Sequence, residues 1–320
     1  MSTKDIVNHL QPVTVLVIGD VMLDEFLWCH VSRISPEAPV PVCKVVRKTQ
    51  VPGGAANVAS NIAALNSTPL LVGLVGADKA GHQLRECLTS HSIATDFLIE
   101  DASRPTILKT RVIAHQQHVA RVDTEDTGAI DEHMLNSHLD QVLAKINSCD
   151  IVVISDYQKG FLTDTVIQQV IQAANAAKKP IIVDPKGTSF EKYRHASYIT
   201  PNMAEFRLMA QQPVQSEDDI RRVGQQLCQQ LDLKAIILTR SEQGMSILLG
   251  SGESIDIPAN AKDVFDITGA GDTVVAMLAV ALGNGIHLDE AGRIANTAAG
   301  KVVAKMGTAT VSVAELAHDR

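Results

Sequence analysis

The chain predicts an α/β fold, a mostly parallel central sheet flanked by helices, with a small second β-sheet at one edge. Three observations lead there. Short apolar runs rich in β-branched residues lack polar alternation, as strands buried on both faces require. Helix-length segments separate most of these runs, the alternation that builds a parallel sheet. Two further stretches alternate apolar with polar residues and hold no helix between their halves, as half-exposed strands do.

Taken in order, VTVLVIG (13–19) is the first core strand. The alternating stretch 26–51 follows, and PGG breaks it before an alanine-rich helix over 55–66. LLVGLVG (70–76) is the next core strand, helix 79–90 comes after it, and 105–123 is the second alternating stretch. Helix 131–146 leads to strand DIVVIS (150–155), and helix 163–178 leads to PIIVD (180–184). SYIT (197–200) precedes helices 203–211 and 216–230, AIILT (235–239) is the last core strand, and helices 271–283 and 288–304 complete the pattern. A single domain over 1–320 is expected, with insertions at about 26–51 and 105–123 pairing as antiparallel strands into a lid. The apolar face of that lid needs cover, so a homodimer formed lid to lid is expected.

A chain of 320 residues suits one large core with an appendage. A hydrophobic fraction of 45% excludes a disordered chain, and the net charge of −8 argues against a nucleic-acid or anionic-membrane binder. An anionic ligand must therefore meet local positive groups. Cys29, Cys43, Cys87, Cys149 and Cys228 form no CxxC pair, which suits buried thiols in a reducing compartment. MSTKDIVNHLQP has no apolar signal core, and no apolar run reaches the roughly 18–20 residues of a membrane helix. A soluble cytoplasmic protein is expected.

Three motifs carry chemistry. DITGAGDT (266–273) sets Gly269 and Gly271 around Ala270, closes them with Asp272 and runs into the apolar VVAMLAVALG. Amides of residues 269–272 would then point from a helix N-terminus into open space, a geometry that attracts phosphate. A carboxylate there repels such a ligand unless it has chemical work, and accepting a proton from an attacking hydroxyl is that work. A glycine turn capped by an aspartate is the plainer reading of the same residues. No GxxxxGKS or GxxxxGKT occurs, and GAGDTV fails GxGxxG at its last position, which disfavours P-loop and dinucleotide enzymes.

In PGGAANVASN, Gly53 and Gly54 allow close backbone approach and Asn57 can donate and accept toward a polyol. In GDVMLDEF, Asp20 and Asp24 follow the first strand, where open α/β sheets keep their ligands. Acids there suit sugar hydroxyls or a metal, and equally the capping of the next element.

Together these motifs resemble the ribokinase/PfkB family of carbohydrate kinases. GGAAN is similar to its N-terminal glycine signature and DITGAGD to its C-terminal one, with Ile267 a variation; TPNMAEF and LTRSEQGMSIL extend the likeness over nearly the whole chain. The resemblance implies a ribokinase-like fold, ATP as co-substrate and Mg2+. It implies Asp272 as base, the amides of Gly269, Ala270 and Gly271 as an anion hole, and Gly53, Gly54 and Asn57 on the sugar. Asn202 and Glu205 would organise the magnesium-phosphate region, and Thr239, Arg240, Glu242 and Gly244 the nucleotide side. Asp266 and Thr268 match the position where the family binds a monovalent cation such as K+.

A narrower resemblance, to the kinases within this family that act on D-glycero-β-D-manno-heptose 7-phosphate in ADP-heptose and lipopolysaccharide synthesis, rests on RISPEAPVPV (33–42), SDYQKG (155–160), DPKG (184–187) and NTAAGKVVAKMGTATVS (296–312). It adds Asp156 and Lys159 to the substrate side and Lys186 and Asn296 to the nucleotide side. A substrate that already carries a phosphate needs fixed cations, and the lid offers Arg33, Lys109, Arg111 and Arg121. Lys109 and Arg111, two apart on a strand, share one face. Many such kinases are fused to an adenylyltransferase bearing HxGH. No HxGH occurs here, so a separate protein is expected to supply that activity. Another phosphosugar kinase and a catalytically silent sugar-binding protein are the alternatives.

Overall fold

The computed structural model of the protein describes residues 3–318 apart from 116, 261–263 and 306. The chain begins with helix α1 (Thr3–His9), strand β1 (Thr14–Gly19), the long strands β2 (Val21–Ile34) and β3 (Pro41–Gly54), and helix α2 (Ala55–Ala64). Next come β4 (Thr68–Gly76), α3 (Lys79–Ser90), β5 (Leu98–Asp101), β6 (Leu108–Ala114), β7 (Gln117–Thr124), α4 (Glu132–Lys145), β8 (Ile151–Ser155) and α5 (Asp164–Ala176). The remainder is β9 (Ile181–Asp184), β10 (Tyr198–Ile199), α6 (Met203–Ala210), α7 (Glu217–Leu231), β11 (Ala235–Thr239), β12 (Met245–Leu249), β13 (Ser254–Ile257), α8 (Ala270–Gly283), α9 (Leu288–Val302) and α10 (Val313–Ala317).

The main sheet runs β13-β12-β11-β10-β9-β8-β1-β4-β5, with every strand in one direction except β12, which pairs antiparallel with β11 and β13 at one edge. Along β1, Val15 and Val17 enter the core layer that α2, α8 and α9 cover, while Leu16 and Ile18 enter the opposite layer beneath α4, α5 and α7. This two-sided burial is why the core strands read as unbroken apolar runs. β1 lies between β4 and β8, so the sheet switches direction there and opens a crevice at the strands' carboxyl ends.

The second sheet has the order β3-β2-β6-β7. β2 pairs antiparallel with β3, and β6 antiparallel with β7, but β2 and β6 are parallel, correcting the all-antiparallel expectation. The reason is their origin. β2 leaves the carboxyl end of β1, and β6 starts beside the carboxyl end of β4, where the Thr106 hydroxyl accepts from the Gly76 N–H at 2.8 Å. Since β1 and β4 are parallel neighbours, both strands depart the same edge in the same direction. Trp28 packs within this sheet, stacked near Phe26 and under the Arg47 guanidinium. Ile34, Val40, Val45, Val46, Val119 and Val122 are exposed on it.

The thiols differ from expectation in part: Cys149 and Cys228 are buried, whereas Cys29, Cys43 and Cys87 are half-buried. No helix among the described residues is long and apolar enough to cross a membrane.

Candidate active site

Asp20 follows β1, Asp156 follows β8, Asp184 ends β9, Asn202 follows β10 and Thr239 ends β11, so the motifs converge on one edge of the sheet. α8 meets them there from the core side. It is buried on nearly all faces as far as Ala281, and its two polar residues, Asp272 and Thr273, sit in its first turn. Small residues on α2 bring the helices close enough for two polar pairs. Asn57 Nδ2 donates to Asp272 Oδ2 at 2.7 Å, and the Thr273 hydroxyl donates to Asn61 Oδ1 at 3.1 Å.

The other oxygen of Asp272, Oδ1, accepts from the Tyr157 hydroxyl at 2.7 Å. Burial raises the Asp272 carboxyl to about 6, and nearby Asp24 acts the same way; the Asn57 and Tyr157 hydrogen bonds and Lys109 oppose the rise. Gly269 enters the helix with φ +79, and a β-carbon on it would stand 2.8 Å from Asn57 Nδ2. Conformation and space both require glycine there. The anion-hole expectation is narrowed at Ala270, whose N–H turns back to the Ile267 carbonyl at 3.2 Å. Among the described residues no protein acceptor faces the N–H groups of Gly271 and Asp272.

On the nucleotide side a cavity of about 520 Å³ reaches from Thr239, Glu242 and Gly244 to the Gly269–Asp272 turn. Lys186, Asn202, Glu205 and Asn296 also border it. Asn202 and Glu205 form a reciprocal cap on α6, and Lys186 Nζ lies 2.7 Å from Glu205 Oε1. Arg240 is a correction: its guanidinium is tied to Glu217, Ser246 and Gln243 and does not border the cavity.

On the small-sheet side Asp24 is buried and ion-paired with Arg111, and Lys109 lies directly across from Asp24 in the parallel register. Gly53 packs against the Asp24 carboxylate, where any β-carbon would collide. Gly54 has φ +58 and approaches the Asp20 carbonyl. Lys159 pairs with Glu125 at 2.6 Å and Arg121 with Asp123 at 2.9 Å. Among the described residues no carboxylate lies within ion-pair distance of Lys109. Burial and its neighbour Lys159 both push its ammonium below the ordinary lysine range.

Three proposed substrate ligands sit elsewhere or are engaged. Arg33 is exposed near the far end of β2. Asp20 is engaged through one oxygen: its Oδ2 accepts from the Tyr157 and Lys159 N–H groups at 2.8 and 3.1 Å, while among the described residues its buried Oδ1 has no protein partner. Asp156 borders the cavity, but its carboxylate accepts from Lys192 at 2.7 Å and from the Tyr193 hydroxyl at 2.6 Å, an internal cluster.

Two residues were missed. Tyr157 lies between Asp156 and Lys159 in SDYQKG and its hydroxyl donates to Asp272. Asp184, the first residue of DPKG, is half-buried at the end of β9, and its carboxyl is pushed well up by desolvation, by Asp272 and by Glu205. Asp184 and Glu205, beside Lys186, suit a divalent cation brought in with phosphates, because magnesium takes few protein ligands and keeps phosphate and water oxygens. Among the described residues no group of three or more His, Cys, Asp or Glu forms an all-protein metal cage. For a monovalent cation, Asp266 spends its oxygens on the Thr268 and Gly307 N–H groups, both at 2.9 Å. The Thr308 hydroxyl, beside Gly269, is buried and has no partner among the described residues.

Residues 14–315 match the family profile described as pfkB family carbohydrate kinase. The bifunctional protein HldE of Vibrio atlanticus is 46% identical over 316 residues, covering 98% of this chain and 65% of that protein. HldE of Geobacter sulfurreducens is 40% identical over 315 residues, covering 98% and 64%. The chain thus spans a little under two thirds of the length of these relatives. Arabidopsis thaliana ribokinase, solved with ribose and ATP, superposes with a TM-score of 0.77 at 20% identity, over 97% of this chain and all of that one. Phosphofructokinase-2 of Escherichia coli, solved with potassium, gives 0.77 at 20% identity over 95% and 96%. The fold is therefore ribokinase-like.

Proposed function

The chain belongs to the pfkB family of carbohydrate kinases, and from that premise we propose that it transfers the γ-phosphoryl group of ATP to the anomeric hydroxyl of D-glycero-β-D-manno-heptose 7-phosphate. The observation that carries this reading is Asp272: a buried carboxylate at the open N-terminus of α8, facing the nucleotide cavity and the small sheet at once. Asp272 accepts the proton of the sugar hydroxyl as its oxygen bonds to the γ-phosphorus and ADP leaves. The Gly271 and Asp272 amides, with the start of the helix dipole, stabilise charge on the transferred oxygens. Asn57 orients the base, and Asp24, fixed by Arg111, receives sugar hydroxyls.

Magnesium bound with ATP neutralises phosphate charge, and Asp184 and Glu205 are the residues that would hold it. Lys109 is our candidate for the distal phosphate, since Arg111, Lys159 and Arg121 already have carboxylate partners. A half-buried cation beside another cation gains most from an incoming dianion. The small sheet would act as a lid that excludes water.

The relatives' description as bifunctional accords with the kinase-adenylyltransferase fusion that the sequence resemblance implies, and we assign the later adenylylation to an adenylyltransferase outside these residues. We place the reaction in the cytoplasm, where ATP is made and five unpaired thiols stay reduced. The uncovered valines and Ile34 of the small sheet favour a homodimer through it, which sedimentation measures. The buried Thr308 hydroxyl supports a K+ site beside Gly269, and replacing K+ with tetramethylammonium should then lower turnover.

The deciding assay is ADP release from Mg-ATP with heptose 7-phosphate, beside ribose, fructose and fructose 6-phosphate. Turnover confined to the heptose phosphate supports the proposal, turnover with another sugar redirects it to a different kinase specificity, and silence with every sugar supports a binding protein.

A further inference from the structure

Between β8 and α5 the chain makes a tight turn, 155–160, with two residues in left-handed conformations, Gln158 at φ +54 and Gly160 at φ +90. Two buried aspartates hold it. Asp20 accepts from the Tyr157 and Lys159 N–H groups, and Asp156 Oδ1 accepts from the Gln158 N–H at 2.7 Å. Asp156 is itself fixed by Lys192 and Tyr193. Few surface turns carry this much buried anchoring, and it leaves Tyr157 with one place to point.

We infer that Tyr157 is a positioning residue for Asp272, its hydroxyl fixing the orientation of the carboxylate and keeping it ready to accept the sugar proton. The inference rests on the base role proposed for Asp272. Tyr157 and Asn57 grip opposite oxygens of the carboxylate, each at 2.7 Å, so its plane is set from both sides. Burial and the surrounding carboxylates hold the phenol well above its ordinary range, so it keeps its proton and can only donate in this bond. The other charged groups facing Asp272 are Asp24 from β2, Lys109 from β6 and Asp184 at the end of β9. Tyr157, like Asn57, is a neutral donor, and it stabilises the ionised base without repelling phosphate, as an extra carboxylate would, or competing for it, as a cation would.

The test is the pH profile of turnover in the full-length protein carrying Tyr157→Phe. Losing a hydrogen bond to an ionised group should raise the acidic limb by about one pH unit and lower kcat about tenfold at neutral pH, with KM for ATP within about twofold. In an Asp272→Asn background the same change should cost nothing further, because its target is gone. Site-specific 3-fluorotyrosine at 157 keeps the shape of the turn and strengthens the donor, so it should move the limb downward even if the phenylalanine protein folds poorly. An unmoved limb in both variants, with Asp272→Asn inactive, overturns the inference and leaves the base standing. Activity surviving in Asp272→Asn overturns the base assignment itself.

Discussion

Replacing Asp272 with asparagine separates what this residue does for the reaction from what it does to the fold. Its carboxyl lies at about 6 in the folded protein against 3.8 in a solvated chain. At 1.36 kcal/mol per pH unit, holding it ionised in the core costs on the order of 3 kcal/mol. The sign follows from proton uptake. Between pH 3.8 and about 6 the folded state binds the proton more tightly than the unfolded state, so stability falls as pH rises through that window and stays lower above it. An asparagine is neutral throughout. It can accept from Asn57 through its oxygen and donate to the Tyr157 oxygen through its nitrogen, so neither partner is orphaned. Asp272→Asn should therefore raise the melting temperature by several degrees at pH 8 and leave it unchanged near pH 3.5. The same protein should lose about 10²–10⁴ in kcat while binding ATP normally. Calorimetry at the two pH values, with a coupled ADP assay, measures both effects. Equal melting temperatures at pH 8, or full turnover, would refute the account of a buried base held at an energetic cost.

Two more outcomes follow from the same geometry. Lys109→Met keeps the bulk of the side chain and removes its charge, so KM for a phosphorylated sugar should rise by about 10²-fold with kcat/KM for an unphosphorylated sugar nearly unchanged, as steady-state kinetics with both will tell. Gly269→Ala forces a left-handed residue and a 2.8 Å approach to Asn57 Nδ2; it should destabilise by about 1–3 kcal/mol in denaturant titration and reduce kcat, because the displaced side chain is the one that orients the base.

The main sheet was legible because its signals are local. β1 is buried on both faces from Val15 to Gly19, and α3 occupies Lys79–Ser90, the range its periodicity predicts. The short pieces β5, β10 and α10 carry too few residues for a period to emerge, and β5 and α10 were not anticipated. The site divides along the same line. The turn at Gly269 and the helix after it announce an anion site within a few residues, whereas an aspartate looks the same in sequence wherever it is used. Asp20, Asp156 and Asp272 each lie near a strand end or turn, yet only the fold reveals that one oxygen of Asp20 holds backbone amides and that Asp156 is tied to Lys192 and Tyr193. Tyr157 escaped notice because its partner is 115 positions away. Asp184 escaped because its character comes from desolvation in the fold and from Asp272 and Glu205, both distant in sequence.

The parallel pairing of β2 with β6 has a consequence for how such a protein changes over time. Asp24 and Lys109 face each other across that pair, on strands that follow β1 and β5 in the chain but take no part in their sheet. Asp272 and the cavity belong to α8 and the carboxyl edge of the main sheet. Under the proposed function, choice of sugar and transfer of phosphate have separate foundations. Drift in the two strands could then readdress the protein to a new substrate while the machinery beneath is inherited intact.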